Sequence, residues 1–315
     1  MTTDDRASSP QPTSTGQLID LREFLRILGA HRWLIAGIVI AGTVLAVVIA
    51  LLLPNIYRAD TLLAPNEEQT GGGLSALAEQ YGGLAALAGV DLMDGADEKT
   101  TLGLAVLRSR KFISDFVERH DILVPLIAAR GWDRESGELI IDPDEYDEAA
   151  EKWVRKVRFP KKVVPSMQEA YEKFTEDMLT IGENSRTGYV TITVEHYSPY
   201  VAKQWIEWLV EDLNETIMKK DVREARQAIE YLNEQIKATS LAELRSVFSR
   251  LIEEQTKTIM LAAVTDEYLF KTVDPPVAPE EKTRPKRALI VLLGAFLSGV
   301  LAVLVVVTLH SRRRV

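Results

Sequence analysis

Two uncharged apolar runs, one towards each end, constrain this chain more than any other feature. Neither Trp33 to Leu53 nor Ala288 to Leu309 contains an acidic or basic side chain. At about 1.5 Å of rise per residue, roughly 20 helical residues cross a hydrocarbon core about 30 Å thick. Inside that core a backbone must satisfy its own hydrogen bonds, which a helix does. Both runs therefore read as transmembrane helices, at 33–53 and 288–309. Core helices of soluble domains seldom stay uncharged for so long. A cleaved signal peptide is the other reading of the first run, but some 30 residues precede it and no small-x-small site follows Leu53.

The flanks set the orientation. Arg22, Arg26 and Arg32 precede the first run, and Arg312, Arg313 and Arg314 follow the second. Such residues resist translocation, so both termini are expected in the cytoplasm. Arg284, Lys286 and Arg287 crowd the far side of the second run, but a long domain is exported largely regardless of charge. The expected layout is a cytoplasmic head at 1–32, an exported domain at 54–287 between the two spans, and a short tail at 310–315. The start of the head, rich in Ser, Thr and Pro, cannot bury enough apolar surface to fold. "LIDLREFLRIL" after it reads either as an amphipathic helix on the inner membrane surface or as a plain extension of the first span.

Composition excludes several classes. There is no cysteine, hence no disulfide, thiolate zinc ligand or thiol nucleophile. A net charge of -9 argues against nucleic acid as a partner, which requires a basic face.

Within the exported domain, "YRADTLLAP" alternates Tyr57, Ala59, Thr61 and Leu63 on one face and reads as a strand. A Gly-rich segment at 71–95 follows, in which "GGLSALA" recurs as "GGLAALA". It lacks the Gly-Lys-Ser/Thr ending of a phosphate loop and reads as a loop with short helical turns. From about Thr100 to Pro160 the pattern is mostly helical. "DPDEYDEAAEKWVRKV" begins as a helix would, with Asp and Pro in cap and first-turn positions. A short helix and a two-stranded hairpin turning at Asn184 and Gly188 complete a small α/β base at about 54–197 and 262–287.

Between Pro199 and Pro275 there is no proline, and between Gly188 and Gly294 no glycine. Apolar residues recur at helical spacing from Val201 to Ile236 and again from Leu241 to Ile259. A helix from Pro199 to Ile236 would be about 55 Å long. The expected element is a helical hairpin arm at about 198–261 with its tip near Thr239 and Ser240. Its stripe, comprising Trp205, Leu209, Leu213, Ile217, Ile229, Leu232, Ile236, Leu244, Phe248 and Leu251, exceeds what one partner helix would bury. Either copies of the chain cover it, the favoured reading, or the arm is a monomeric coiled coil. The fold class is thus α+β, with two transmembrane helices flanking a domain built of a small base and a long helical hairpin.

No catalytic constellation is legible. The four histidines lie far apart, no G-x-S-x-G elbow occurs, and no pair has metal-ligand spacing. Asp142, Asp144 and Glu145 could supply a carboxylate pair for glycosidic chemistry, or else cap a helix. Trp205 and Trp208 could stack on sugar rings, or else pack. No catalytic, cofactor or metal residue is therefore assigned, and no cofactor is expected.

A span near the N-terminus, a strand, "YVTITVEHYSPYVAKQWIEWLVEDLNE", a long charged helical hairpin and "EYLFKTVDPPVAPEEKTRPKRALIVLLG" with its closing span resemble the chain-length determinant (Wzz) family of polysaccharide co-polymerases. The resemblance covers most of residues 18–310, and its most specific part is Pro275, Pro276, Pro279 and Pro285 followed by Lys286 and Arg287. It implies a bacterial inner-membrane protein with a periplasmic α/β base and long helix, assembled in rings of identical subunits. It also implies a non-catalytic role: setting the number of repeats that a membrane polymerase adds to lipid-linked O-antigen or a related surface polysaccharide. Capsule and exopolysaccharide relatives carry or pair with a cytoplasmic tyrosine kinase. The absence of Walker motifs and a tyrosine-rich tail here favours the O-antigen branch. A periplasmic sensor would need a cytoplasmic output module for which the tail has no room.

The proline run reads as a strut. Pro275 and Pro276 are expected to stop the descending helix, and the path to Pro285 to be extended and hydrated. Arg284, Lys286 and Arg287 would then meet lipid headgroups. The other reading is a passive spacer. Within the second span Gly294, Ser298 and Ala302 recur every four residues, as do Ala295 and Gly299, giving small-residue rows for close helix packing.

Overall fold

The computed structural model describes residues 31–66 and 95–313. The head before His31, with its "LIDLREFLRIL" stretch, and the Gly-rich segment up to Asp94 lie outside the described residues. The chain divides into two compact units, one made of residues up to Leu53 with those from Lys286 onwards, the other of Pro54–Pro285.

The first unit is a pair of apolar helices, α1 (Arg32–Leu52) and α8 (Arg287–Arg313); the other described helices and all the described strands belong to the second unit. Both helices are long and apolar enough to cross a membrane. They meet along small residues. A methyl group at Gly42 would overlap the Ser298 side chain, and one at Gly294 would overlap Ala46. As one number rises the other falls, so the helices run antiparallel. Ala46 and Ala50 of α1, and Ser298, Ala302 and Val306 of α8, are buried along this seam. Removing Cβ atoms lets the backbones approach closely, which is how dispersion holds helices together where lipid tails leave no hydrophobic driving force.

The second unit is built on a four-stranded antiparallel sheet in the order β6-β7-β1-β8. Strand β1 (Tyr57–Pro65) pairs with β7 (Val190–His196) in a register that sets Ala59 opposite Val194, Thr61 opposite Ile192 and Leu63 opposite Val190. All six are buried. The period-2 alternation therefore defines the inner face, while Arg58, Asp60, Thr191 and Glu195 share the outer one. The edge strands are β6 (Leu179–Glu183), turning into β7 through Asn184 and Gly188, and β8 (Phe270–Asp274). Gly188 has φ +68°, the left-handed conformation such a tight turn requires.

Helices cover the inner face. These are α2 (Gly95–Leu107), α3 (Arg110–Arg119), the short α4 (Leu123–Ile127) and α5 (Met167–Lys173), which continues as a wider turn through Met178. Ser109 caps α3 by accepting from Phe112 N, and Ser166 caps α5 by accepting from Glu169 N. Phe112, Ile113, Phe116 and Val117 of α3 join Phe174 and the sheet in one core.

The longest element is α6 (Pro199–Ala238), begun by Ser198, whose Oγ accepts from Val201 N, with Pro199 in the first turn. Its 40 residues extend about 60 Å. The first half lies on the core through Ala202, Trp205, Ile206, Leu209, Leu213 and Ile217. The second half forms an arm with α7 (Ala242–Val264). The chain reverses at Thr239, Ser240 and Leu241, where Arg245 Nε donates to the Thr239 carbonyl.

Two expectations are overturned. Residues 142–157 do not form a helix; they make the small hairpin of β4 (Tyr146–Asp147) and β5 (Lys152–Trp153), beside the hairpin of β2 (Ala129–Trp132) and β3 (Leu139–Ile141). The acidic residues serve turns instead of a helix start: Asp142 Oδ1 accepts from Asp144 N, and Asp147 Oδ1 accepts from Ala149 N and Ala150 N. Glu151 at φ +50° then closes the hairpin. Nor do Pro275 and Pro276 stop the descending helix. It ends at Val264, and β8 intervenes before the prolines.

Candidate functional site

The features that could carry function lie where the arm leaves the core, along the exposed arm, and in the proline segment. The arm root is held by buried polar groups on α6. Asn214 Oδ1 accepts from Leu269 N at 2.7 Å and Phe270 N at 2.9 Å, and its Nδ2 donates to the Phe270 carbonyl at 3.2 Å. One side chain thus supplies the hydrogen bonds of a strand neighbour and clamps the returning chain to the outgoing helix. Two turns away, Tyr268 Oη donates to Asp221 Oδ2 at 3.0 Å, and Lys99 Nζ reaches the same oxygen at 3.1 Å. Burial, with the Asp221 charge, pushes the Tyr268 phenol well above its ordinary range.

On another face of α6, Asp212 receives Arg119 Nη1 at 2.6 Å and lies 3.0 Å from His120 Nε2. The His120 ring stacks on Trp208, with centroids 4.2 Å apart and planes 9° from parallel. Arg119 also donates to Glu215 at 2.7 Å. That bond and the Asp212 charge raise the guanidinium pKa, while Lys219 and Arg119 hold the Glu215 carboxyl below its usual value. At the foot of the arm, His196 is buried. Its Nδ1 accepts from Ser198 N at 3.1 Å, so the proton resides on Nε2, 3.3 Å from the Pro125 carbonyl. Burial lowers its pKa to about 4, keeping the ring neutral. These groups fasten helices; among the described residues no set of three His, Asp or Glu side chains could hold a metal.

The arm stripe divides in two. Trp205, Leu209, Leu213 and Ile217 are buried in the chain's own core, which corrects their assignment to the part of the arm that faces a neighbouring copy. Ile229, Leu232, Ile236 and Phe248 are only half-buried, and Leu244 and Leu251 are exposed. Trp205 is buried against the rings of Phe174 and His196 and offers no free face for a sugar, whereas Trp208 is half-buried with one face stacked on His120. Asp142 lies 3.8 Å from Arg130 and Glu145 3.7 Å from Arg155, within the hairpin turns.

The proline segment has no regular structure from Pro275 to Pro285, apart from one bridge at Arg284. Pro276 is buried, Pro279 and Pro285 are half-buried, and Pro275 is exposed. Its far end is tied to the approach to β1: Ile56 N donates to the Arg284 carbonyl at 2.9 Å, and Thr283 N to the Ile56 carbonyl at 2.8 Å. Lys282 Nζ donates to Asn55 Oδ1, and Arg284 pairs with Glu195. Lys286 is exposed and Arg287 half-buried, in the first unit. In α8, Gly294, Ser298 and Ala302 form the row against α1, whereas nothing lies within 4 Å of a Cβ at Gly299; Ala295 is half-buried.

Sequence reading missed the arm root. Its signal is nonetheless present: Asp212 and Asn214 bracket Leu213 within an otherwise apolar stripe, and a polar residue on a buried face needs a partner.

A family model described as "Wzz: Chain length determinant protein" matches residues 17–119, from before α1 through β1 to the end of α3. Residues 17–119 are thus similar to the Wzz family. The match spans about a third of the chain and includes the Gly-rich segment. No curated protein shows significant sequence similarity. Among solved structures, a full-length bacterial polysaccharide co-polymerase is similar at 14% identity and a TM-score of 0.42, over 94% of this chain and 99% of that one. A fragment of WzzB, a polysaccharide co-polymerase from Salmonella Typhimurium, is similar at 13% identity and a TM-score of 0.30, over 73% of this chain and 100% of that one. A mutant of the Shigella flexneri lipopolysaccharide O-antigen chain-length regulator WzzBSF gives 10% identity and a TM-score of 0.25, over 72% and 99%.

Proposed function

We propose that this chain is a non-catalytic inner-membrane scaffold that sets the modal length of a surface polysaccharide, lipopolysaccharide O-antigen, by acting on the membrane polymerase that extends it. The observation that carries this reading is the Wzz family match through the first apolar helix, strand β1 and α3. Two membrane-length helices bracketing an α+β unit with a long hairpin support it. In this reading both termini are cytoplasmic, the second unit is periplasmic, and identical copies assemble in a ring through the exposed half of the arm. Pro275, Pro276, Pro279 and Pro285 form the strut leading to the second span, with Lys286 and Arg287 at the headgroups. Ala295 and Gly299 offer a second small-residue row to a neighbouring helix. The polymerase and its lipid-linked polysaccharide are the working partners.

The test is deletion of the gene, with surface lipopolysaccharide and secreted polysaccharide both resolved by size. A modal cluster of O-antigen bands should give way to an unregulated ladder. A changed secreted polymer with an unchanged lipopolysaccharide would transfer the role to exopolysaccharide or capsule, where a separate cytoplasmic kinase is the expected partner. No change in either would refute the scaffold.

A further inference from the structure

Residues 152–164, "KWVRKVRFPKKVV", hold six cations and no carboxylate in a chain of net charge -9. One of the six is buried: Arg155 is bonded to Glu169 at 2.5 Å. Lys161 reaches the same carboxylate at 3.4 Å but remains exposed. Lys156, Arg158 and Lys162 are exposed, with no ion pair among the described residues.

Between them stands Phe159, 97% exposed, more than any other large apolar side chain among the described residues. It occupies the tip of a turn in which Lys161 N donates to the Arg158 carbonyl at 3.0 Å. Val163 and Val164 extend the apolar surface. The turn is not a frayed end. Its first leg is pinned by Arg155, and its second by buried Pro165 and the Ser166 cap of α5.

An aromatic tip ringed by cations matches one surface well. The interface of an anionic bilayer takes an apolar ring at the acyl boundary and Lys or Arg at the phosphates. A lipid surface is also the partner that chain connectivity supplies, since only residues 53–56 separate the end of α1 from β1. A tether that short keeps a bilayer carrying α1 at high effective concentration around the second unit.

We propose that the turn at 156–164 is a membrane-interfacial anchor that seats Phe159 among anionic phospholipid headgroups, with Lys156, Arg158, Lys161 and Lys162 on their phosphates. The anchor is independent of which polymer the chain governs.

The cysteine-free sequence makes the test direct. The full chain carrying Val163→Cys with one nitroxide label is reconstituted in phosphatidylcholine vesicles with and without phosphatidylglycerol, and Ser246→Cys on the arm serves as the reference. Collisions with oxygen, which concentrates in lipid, are compared with those of a water-soluble nickel complex. In phosphatidylglycerol vesicles the label at 163 should favour oxygen, while the one at 246 favours nickel. Arg158→Ala with Lys162→Ala, both exposed and unpaired, should lower the lipid-seated to aqueous ratio about fivefold per charge removed. Three results overturn the anchor: a label at 163 as wet as that at 246, a label shielded from both probes as beneath a protein partner, or equal seating with and without phosphatidylglycerol.

Discussion

Asn214 and His196 show how single polar side chains hold the arm root. Replacing Asn214 with Ala strands two buried amides and one buried carbonyl, each costing about 1–3 kcal/mol when left without a partner. A loss of about 3 kcal/mol or more is expected in denaturant unfolding, with lost hydrogen-exchange protection at Leu269 and Phe270; intact protection there would count against the clamp. His196 predicts a pH dependence. In the fold its pKa is lowered to about 4, whereas the unfolded chain protonates near the ordinary value of about 6.5. Between those values the unfolded state binds more protons. Stability is therefore complete above about pH 6.5 and falls as pH drops towards 4, by at most about 3 kcal/mol. His196→Gln should flatten that slope in thermal melts between pH 4 and 6.5, and an unchanged slope would place its origin elsewhere.

Among the elements, α1 and α8 meet through glycine on both sides, and the two glycines of α8 make opposite predictions. At Gly294 a side chain collides with Ala46, and overpacking of this kind costs about 1–3 kcal/mol. Gly294→Leu should lower the melting midpoint of the full chain in detergent. Gly299→Leu, with nothing of its own chain within 4 Å, should leave the midpoint of the single, dissociated chain unchanged. Equal effects would mean that helix propensity, not close approach, governs both sites. The hairpin at 142–157 gives the complementary lesson. Its acidic opening carries helix-start signals, but Asx turns at Asp142 and Asp147 and the Tyr146–Trp153 ring contact, with centroids 5.2 Å apart, win instead. Asp is favoured at caps and turns by the same side-chain chemistry, so spacing alone could not separate them.

At the scale of the whole molecule, α6 carries one continuous apolar stripe with two destinations. Up to Ile217 the core absorbs it. Beyond that point Leu244 and Leu251 of the facing helix remain 42% and 39% exposed. Leu244→Asp with Leu251→Asp should change folding stability by less than about 1 kcal/mol, as surface substitutions do, while reducing the mass of the detergent-solubilised assembly to that of one chain. Leu209→Ala should do the reverse, costing about 2–5 kcal/mol of folding stability. A mass unaffected by the two aspartates would remove the arm from the proposed assembly.

The amino-acid sequence by itself determined whatever depends on local period and on length: two membrane-length helices, strand β1 at Tyr57–Pro65, the β6–β7 hairpin, the continuous α6 and its reversal at Thr239 and Ser240. In each, the hydrophobic run or spacing agrees with the caps and turn residues at its ends, and no distant residue has to arbitrate. Only the tertiary structure decided where α7 ends, that Phe270–Asp274 is a strand, and which half of the arm stripe is already covered. Strand β8 exists because Leu62–Pro65 pairs with it and Asn214, 56 residues before its first residue, bonds the amides of Leu269 and Phe270. Such bonds join residues far apart in the chain, and no window of local sequence contains both partners.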